Sequence, residues 1–191
     1  MFEGKTIGWA VAGSFCTIPG IYTEIESVLH SGVKIVPIVS GNVASMDTRM
    51  GTAGDIIKKL EEVTGNKVIK DINEAEPIGP KKMFDALVIL PATGNTIAKL
   101  AHGIADTSVL MAAKAHLRNN RPIIIGVSTN DGLSTNARNI GDLLNKKNIY
   151  FVPFGQDDYE KKPNSVGYKR GMVAETIERA MRGEQIQPVI S

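Results

Sequence analysis

The sequence predicts one α/β domain over residues 1–191, with a parallel sheet covered by helices on both faces. Short apolar runs rich in Val and Ile recur along the chain, and segments with helical apolar spacing alternate with them. No internal repeat, low-complexity tract or linker divides the 191 residues, and a hydrophobic content of 42% supplies one core. A chain of this length buries about 70% of the surface that its unfolded form exposes.

The first run, Ile7 to Ala12, is apolar or small throughout, as expected of a strand buried on both faces. Pro19 and Gly20 are expected to precede the first helix, Tyr22 to His30, and Gly32 to close it. The second strand is Val33 to Val39, and the helix Ala53 to Val63 ends at Gly65-Asn66. Ala86 to Leu90 is the next strand, followed by the helices Thr96 to Ala101 and Ser108 to Leu117. The strand Pro122 to Val127, the helix Ile140 to Lys146 and the strand Ile149 to Val152 continue the alternation. A long connection, Pro153 to Ser165, carries Asp157, Asp158, Glu160, Lys161 and Lys162 and suits a solvated loop as well as an active-site lid. The helix Met172 to Met181 comes last. The expected architecture is a three-layer α/β/α, Rossmann-like (flavodoxin-like) parallel sheet.

Composition narrows the function. Lys plus Arg number 22 against 20 Asp plus Glu, a net charge of +2, which argues against a nucleic-acid binder with a basic face. The single cysteine, Cys16, excludes a disulfide framework or cysteine zinc site within one chain, and no metal site is expected. The opening Met1-Phe2-Glu3-Gly4-Lys5 lacks the pattern of a signal peptide. No window approaches the roughly 18 apolar residues of a membrane span. A cytoplasmic protein that contacts neither membrane nor nucleic acid is expected.

In an open parallel sheet, ligands bind beyond the carboxyl ends of the strands, where helix amino termini and loop N–H groups converge. Three strand ends here carry small or hydroxyl residues: Ala12-Gly13-Ser14-Phe15-Cys16-Thr17, Ser40-Gly41-Asn42 and Pro91-Ala92-Thr93-Gly94-Asn95-Thr96. Small residues let a phosphate approach the backbone, and the Ser14 and Ser40 hydroxyls are expected to donate to its oxygens. The first loop is neither a Walker A motif nor a G-x-G-x-x-G fingerprint, which disfavours ATP and NAD bound by those routes. Taken singly, Gly13-Ser14 reads as a tight turn and Asn95-Thr96 as a helix cap; their concurrence at one sheet edge carries the expectation. The expected ligand is a phosphate-bearing molecule, held by Gly13, Ser14, Ser40, Pro91, Ala92, Thr93, Asn95 and Thr96.

The run Leu87-Val88-Ile89-Leu90-Pro91-Ala92-Thr93-Gly94-Asn95-Thr96, with Ala101-His102-Gly103-Ile104-Ala105-Asp106 after it, resembles the Pro-Ala-Ser-Ala-Asn-Thr segment of the homo-oligomeric flavin-containing cysteine decarboxylases. Gly13-Ser14 and Ser40 fit the same superfamily, so the resemblance covers nearly the whole chain. Lys5-Thr6-Ile7-Gly8-Trp9-Ala10, Pro153-Phe154-Gly155-Gln156-Asp157-Asp158, Lys161-Lys162-Pro163-Asn164-Ser165 and Gln185-Ile186-Gln187-Pro188-Val189-Ile190 are similar to one branch of it. That branch comprises the B chains of two-component enzymes that form dipicolinate, pyridine-2,6-dicarboxylate, in sporulating bacteria. The resemblance implies an oxidoreductase component acting on a dihydro- or hydroxytetrahydro-dipicolinate precursor in the mother-cell cytoplasm. It also implies an FMN-like flavin (FMN, flavin mononucleotide) as the phosphate-bearing ligand, a partner, the dipicolinate synthase A chain, that binds NADP, and a trimer-based homo-oligomer. The helix bearing Leu110 and Met111 reads as ordinary core, with an interface as the alternative. Ala101-His102-Gly103 and Ala112-Ala113-Lys114 are also similar to flavin prenyltransferases, so an autonomous FMN-dependent decarboxylase or prenyltransferase is a second reading. A non-catalytic scaffold is a third.

The decarboxylases carry a Pro-x-Met-Asn motif after the strand that corresponds to Pro122–Val127. Here Gly126-Val127-Ser128-Thr129-Asn130-Asp131-Gly132 stands in its place, without the Met-Asn pair, so oxidative thiol decarboxylation is not expected. No residue is singled out as catalytic: His30, His102 and His116 have no evident carboxylate or cysteine partner. Cys16 reads as a small apolar residue beneath the loop, with a nucleophile at a helix amino terminus as the alternative. A dicarboxylate needs cationic and polar donors. Arg49, Asn130, Arg138 and Lys162 are the candidates near strand ends.

Overall fold

The computed structural model describes residues 3–190. Five parallel strands form its centre: β1 (Thr6–Val11), β2 (Lys34–Val39), β3 (Ala86–Ala92), β4 (Ile123–Thr129) and β5 (Ile149–Phe151). Two short strands, β6 (Phe154–Gln156) and β7 (Val166–Tyr168), complete a seven-stranded sheet of order β2-β1-β3-β4-β7-β6, with β5 also pairing β4. β4 serves two neighbours because it outruns β5. Its Ile123–Ile125 segment pairs with β5 in parallel, whereas Ser128 and Thr129 pair with β7 in antiparallel fashion. The wholly parallel sheet expected from the sequence is therefore corrected at this edge. The start of the expected Pro153–Ser165 loop pairs with the residues just beyond its end to form a hairpin in which Gly155 faces Gly167. Phe154, Val166 and Tyr168 turn inward from it and supply its apolar anchors.

The helices are α1 (Ile18–Leu29), α2 (Gly41–Ser45), α3 (Ala53–Thr64), α4 (Ile72–Ala75), α5 (Gly94–Ala101), α6 (Ser108–Leu117), α7 (Ala137–Leu144) and α8 (Val173–Met181). α1 begins earlier than expected, with Pro19 and Gly20 inside its first turn. The missing proline N–H costs nothing there, because first-turn N–H groups lack an intrahelical partner. Gly32 and Gly65 take the positive φ, +78° and +65°, that turns the chain after α1 and α3. α2, α4 and the 3-10 turn Glu76–Ile78 are too short to show a helical period.

Alternate residues of each central strand feed opposite faces. Val88 and Leu90 of β3 join Trp9, Ile21, Ile25, Leu60 and Ile177 on one face, with α1, α3 and α8. Leu87 and Ile89 join Ile97, Leu110, Ile123 and Phe151 on the other, with α5, α6 and α7. Leu110 is thereby part of the core, whereas Met111 is only partly buried against it. Trp9 satisfies its indole N–H on the Leu90 carbonyl at 3.1 Å. Among the described residues no helix is long and apolar enough to cross a membrane. Met1 and Phe2 of the opening segment lie outside the described residues.

His116 of α6 is buried, with Nε2 3.1 Å from the Pro122 carbonyl oxygen that accepts its hydrogen. Burial pushes its pKa down from 6.5 to about 4, helped by the nearby Arg121 charge. The unfolded chain thus binds a proton between those values that the folded chain does not. Stability is expected to fall as pH drops from 6.5 towards 4, by roughly 2–4 kcal/mol in total. Denaturant melts of the native chain and His116→Gln at pH 7 and pH 4.5 check this: the variant should lose less stability over that interval. Equal losses would contradict it.

Candidate functional site

Backbone hydrogen bonds draw three strand ends to one rim. Ala12 N–H donates to the Pro91 carbonyl at 3.2 Å, joining the ends of β1 and β3, and Ser40 N–H donates to the Val11 carbonyl at 3.0 Å, joining β2 to β1. The Pro91 position falls in the register irregularity of β3 between Ile89 and Ala92, where a residue without an N–H is tolerated. Two neighbouring cavities open at this rim, each of about 360 Å³, and they share Gly13 and Thr93.

The first cavity lies between α2 and α5 and is lined by Gly13, Ser40, Gly41, Asn42, Thr93, Asn95, Thr96 and Lys99, among others. Ser40 stands at the cap position of α2 but makes no capping bond, and its hydroxyl is buried without a partner. Such a group normally costs about 1–3 kcal/mol, so an unpartnered one beside a cavity points to a missing acceptor or donor. Gly41 follows it, and a Cβ built there meets nothing within 4 Å. Thr93 caps α5, its hydroxyl accepting from Thr96 N–H at 3.3 Å. Two helix amino termini, an unused hydroxyl and bare backbone make a cradle that fits a phosphate. Lys99 lines the same cavity but already pairs with Asp106 at 2.5 Å, and this contact holds the Asp106 pKa below the ordinary carboxylate range.

Behind the α5 terminus lies a polar network. Thr129 Oγ1 donates to Asp131 at 2.5 Å, Asn136 Nδ2 to the other Asp131 oxygen at 2.8 Å, and Asn139 Nδ2 to Asn136 at 2.9 Å. Gly94 sits so close that a Cβ there would lie 2.5 Å from both Asn136 Nδ2 and Asp131 Oδ1. Its missing side chain lets the first turn of α5 pack on this network.

The second cavity is lined by Ser14, Thr17, Ser128, Asn130, Asp157, Lys162, Tyr168 and Arg170, together with Cys16 and parts of the β6–β7 hairpin. Ser14, Thr17 and Ser128 form a closed ring of hydroxyls at 2.9, 2.7 and 3.1 Å. Cys16 is exposed rather than packed beneath the loop as expected, with its Sγ 4.0 Å from the Ser14 and Thr17 oxygens.

The residues expected from the sequence therefore divide. Gly13, Ser40, Thr93, Asn95 and Thr96 meet in the first cavity, whereas the Ser14 hydroxyl turns into the second. Pro91 and Ala92 are buried within β3 and line neither. Of the four expected substrate contacts, Asn130 and Lys162 line the second cavity. Arg49 is exposed beyond α2, and Arg138 pairs loosely with Asp142 on the solvent side of α7 at 3.9 Å; neither lines either of these two cavities. Thr17 and Ser128 lie in strand-end segments that the sequence pointed to, though neither was singled out. Arg170 was missed, because it arrives with the hairpin that pairs with the overhang of β4, which no periodicity announced.

The chain matches the flavoprotein family over residues 1–158. It is 46% identical to the B chain of dipicolinate synthase from Bacillus subtilis (strain 168) over 188 residues, 98% of this chain and 94% of that protein. The crystal structure of the dipicolinate synthase B chain from Bacillus halodurans superposes with a TM-score of 0.91 at 43% identity, covering 100% of this chain and 97% of the other. The cypemycin decarboxylase shares the fold, with a TM-score of 0.67 at 19% identity over 95% of this chain and 96% of its own.

Proposed function

The chain belongs to the flavoprotein family, and we propose that its residues 1–191 act as one flavoprotein-like domain, the B chain of a dipicolinate synthase. The 46% identity to a relative of that name over 98% of the chain supports the role. The observation in this molecule that carries the cofactor assignment is the buried, unpartnered Ser40 hydroxyl beside the open space over Gly41. Gly13, Ser40, Gly41, Thr93, Asn95 and Thr96 would hold the phosphate of an FMN-type flavin, through hydroxyls and backbone N–H groups. When bound, the flavin supplies a centre that accepts or passes on hydride equivalents.

The chain's own residues bind and orient. The reaction class is oxidoreductase: removal of a hydride and a proton from a dihydrodipicolinate precursor, formed directly or by loss of water from a hydroxytetrahydro-dipicolinate, leaves the aromatic pyridine-2,6-dicarboxylate, with the partner's NADP as hydride acceptor. The partner is the dipicolinate synthase A chain, which binds the NADP, and the pair works in the mother-cell cytoplasm during sporulation. The B chain assembles as a trimer-based homo-oligomer.

Reconstitution tests this reading. With the A chain, NADP and precursor present, adding the B chain is expected to raise dipicolinate formation, followed by ultraviolet absorbance, by about a hundredfold, the order of loss that poor substrate positioning causes. Full turnover by the A chain alone would overturn it.

A further inference from the structure

The second cavity carries charge that no ion pair among the described residues uses. Lys162, from the hairpin loop, and Arg170, from the turn between β7 and α8, both line it, and neither makes an ion pair among the described residues. Asp157 stands on the same wall, and the Glu24 carboxylate lies behind the turn that carries Arg170, so the two cations are the cavity's own lining charges beside one lining carboxylate. Next to them is the ring of Ser14, Thr17 and Ser128 hydroxyls. Thr17 occupies the cap position of α1, yet its side chain makes no capping bond and is committed to the ring instead.

The position of Arg170 is built into the fold. Its guanidinium lies over the first turn of α1, where a Cβ on Gly20 would come within 3.4 Å of it. The turn that carries it is tethered by Glu24, a buried carboxylate of α1 whose Oε1 accepts from Gly171 N–H at 2.8 Å. Gly171 has φ +76°, which suits glycine at this tether.

We propose that this cavity binds a small dicarboxylic acid, with Arg170 and Lys162 as charge partners of its carboxylates and the hydroxyl ring as neutral donors. The proposal rests on the dipicolinate synthase reading and names its substrate site. A guanidinium offers a planar fork that matches a carboxylate, and an ammonium offers a point charge. Two cations from separate segments suit a ligand with two anionic ends better than a single phosphate. The ring is adaptable, because an arriving carboxylate oxygen takes over one hydroxyl proton while the other contacts remain. The division of labour follows: the cavity beside Ser40, whose lysine is already paired, takes the phosphate, and the cavity with unpaired cations takes the carboxylates.

Calorimetric titration of the purified chain with dipicolinate and with picolinate, which lacks one carboxylate, tests the assignment, with FMN titrated in parallel. Dipicolinate is expected to bind about tenfold more tightly than picolinate, and Arg170→Gln and Lys162→Gln are each expected to weaken it about tenfold. Asp157→Asn, which removes the opposing charge, is expected to tighten it, while FMN affinity in all three variants changes by less than about twofold. The proposal is overturned if dipicolinate does not bind, if both cation variants bind it as the native chain does, or if Arg170→Gln weakens FMN instead. The FMN titration and the turnover assay with the A chain report separately on the underlying reading, so its failure is distinguishable from failure of this one.

Discussion

Gly94→Ala is expected to cost roughly 2–4 kcal/mol, since one methyl group must displace packed polar atoms and break the hydrogen bonds they share. A Cβ at this position lies 2.5 Å from Asn136 Nδ2, 2.5 Å from Asp131 Oδ1 and 2.8 Å from Thr129 Oγ1, three atoms of one network. Asn136 and Asn139 are buried, so relief by moving them outward leaves amides unsatisfied. In a chain of this size the loss corresponds to a fall of roughly 5–15 °C in melting temperature. Gly54→Ala serves as the control: it lies in α3, where the nearest atom to an added Cβ is 3.7 Å away, and alanine favours the helix. The control should melt at or slightly above the native temperature. If Gly94→Ala melted with it, the account of α5 seated on the Asp131 network would be wrong.

Gly41→Asp is expected to fold as the native chain does and to bind FMN at least about a hundredfold more weakly. The reasons are separable. An added Cβ meets nothing within 4 Å, so no packing is disturbed, and an acidic residue suits the first turn of a helix. A carboxylate placed where the phosphate is assigned repels it, and like charges at close range cost several kcal/mol. Unchanged melting with lost FMN quenching of fluorescence is the expected pair of results. Undiminished FMN affinity would place the phosphate elsewhere.

Much of the fold was legible because its strands are buried on both faces. Ile7 to Val11 and Leu87 to Leu90 have no competing polar alternation, and Gly32 and Gly65 mark helix ends through a backbone geometry that few other residues adopt. The hairpin was not legible, since β6 and β7 have three residues each and are fixed by pairing with the overhang of β4 rather than by local preference. The same gap hid half of the candidate site. Gly13, Ser40 and Thr93 announced themselves as small or hydroxyl residues at strand ends. Arg170 is a surface-looking residue brought to the rim by the Glu24 tether, a contact between positions 147 residues apart. Arg49 and Arg138 were plausible by proximity to strand ends, but side-chain direction and the Asp142 neighbour took them away.

In the proposed flavin site, turns distant in sequence converge on one anion through the Ser40 hydroxyl. Titrating FMN into the purified chain and into Ser40→Ala tests it most directly, with the melting temperature of each ligand-free protein recorded alongside. The native chain should bind one FMN per chain, and Ser40→Ala should bind about tenfold more weakly while melting no lower, because the lost hydroxyl is unsatisfied without ligand. Equal affinity in the two proteins, or no FMN binding by the native chain, would contradict the account.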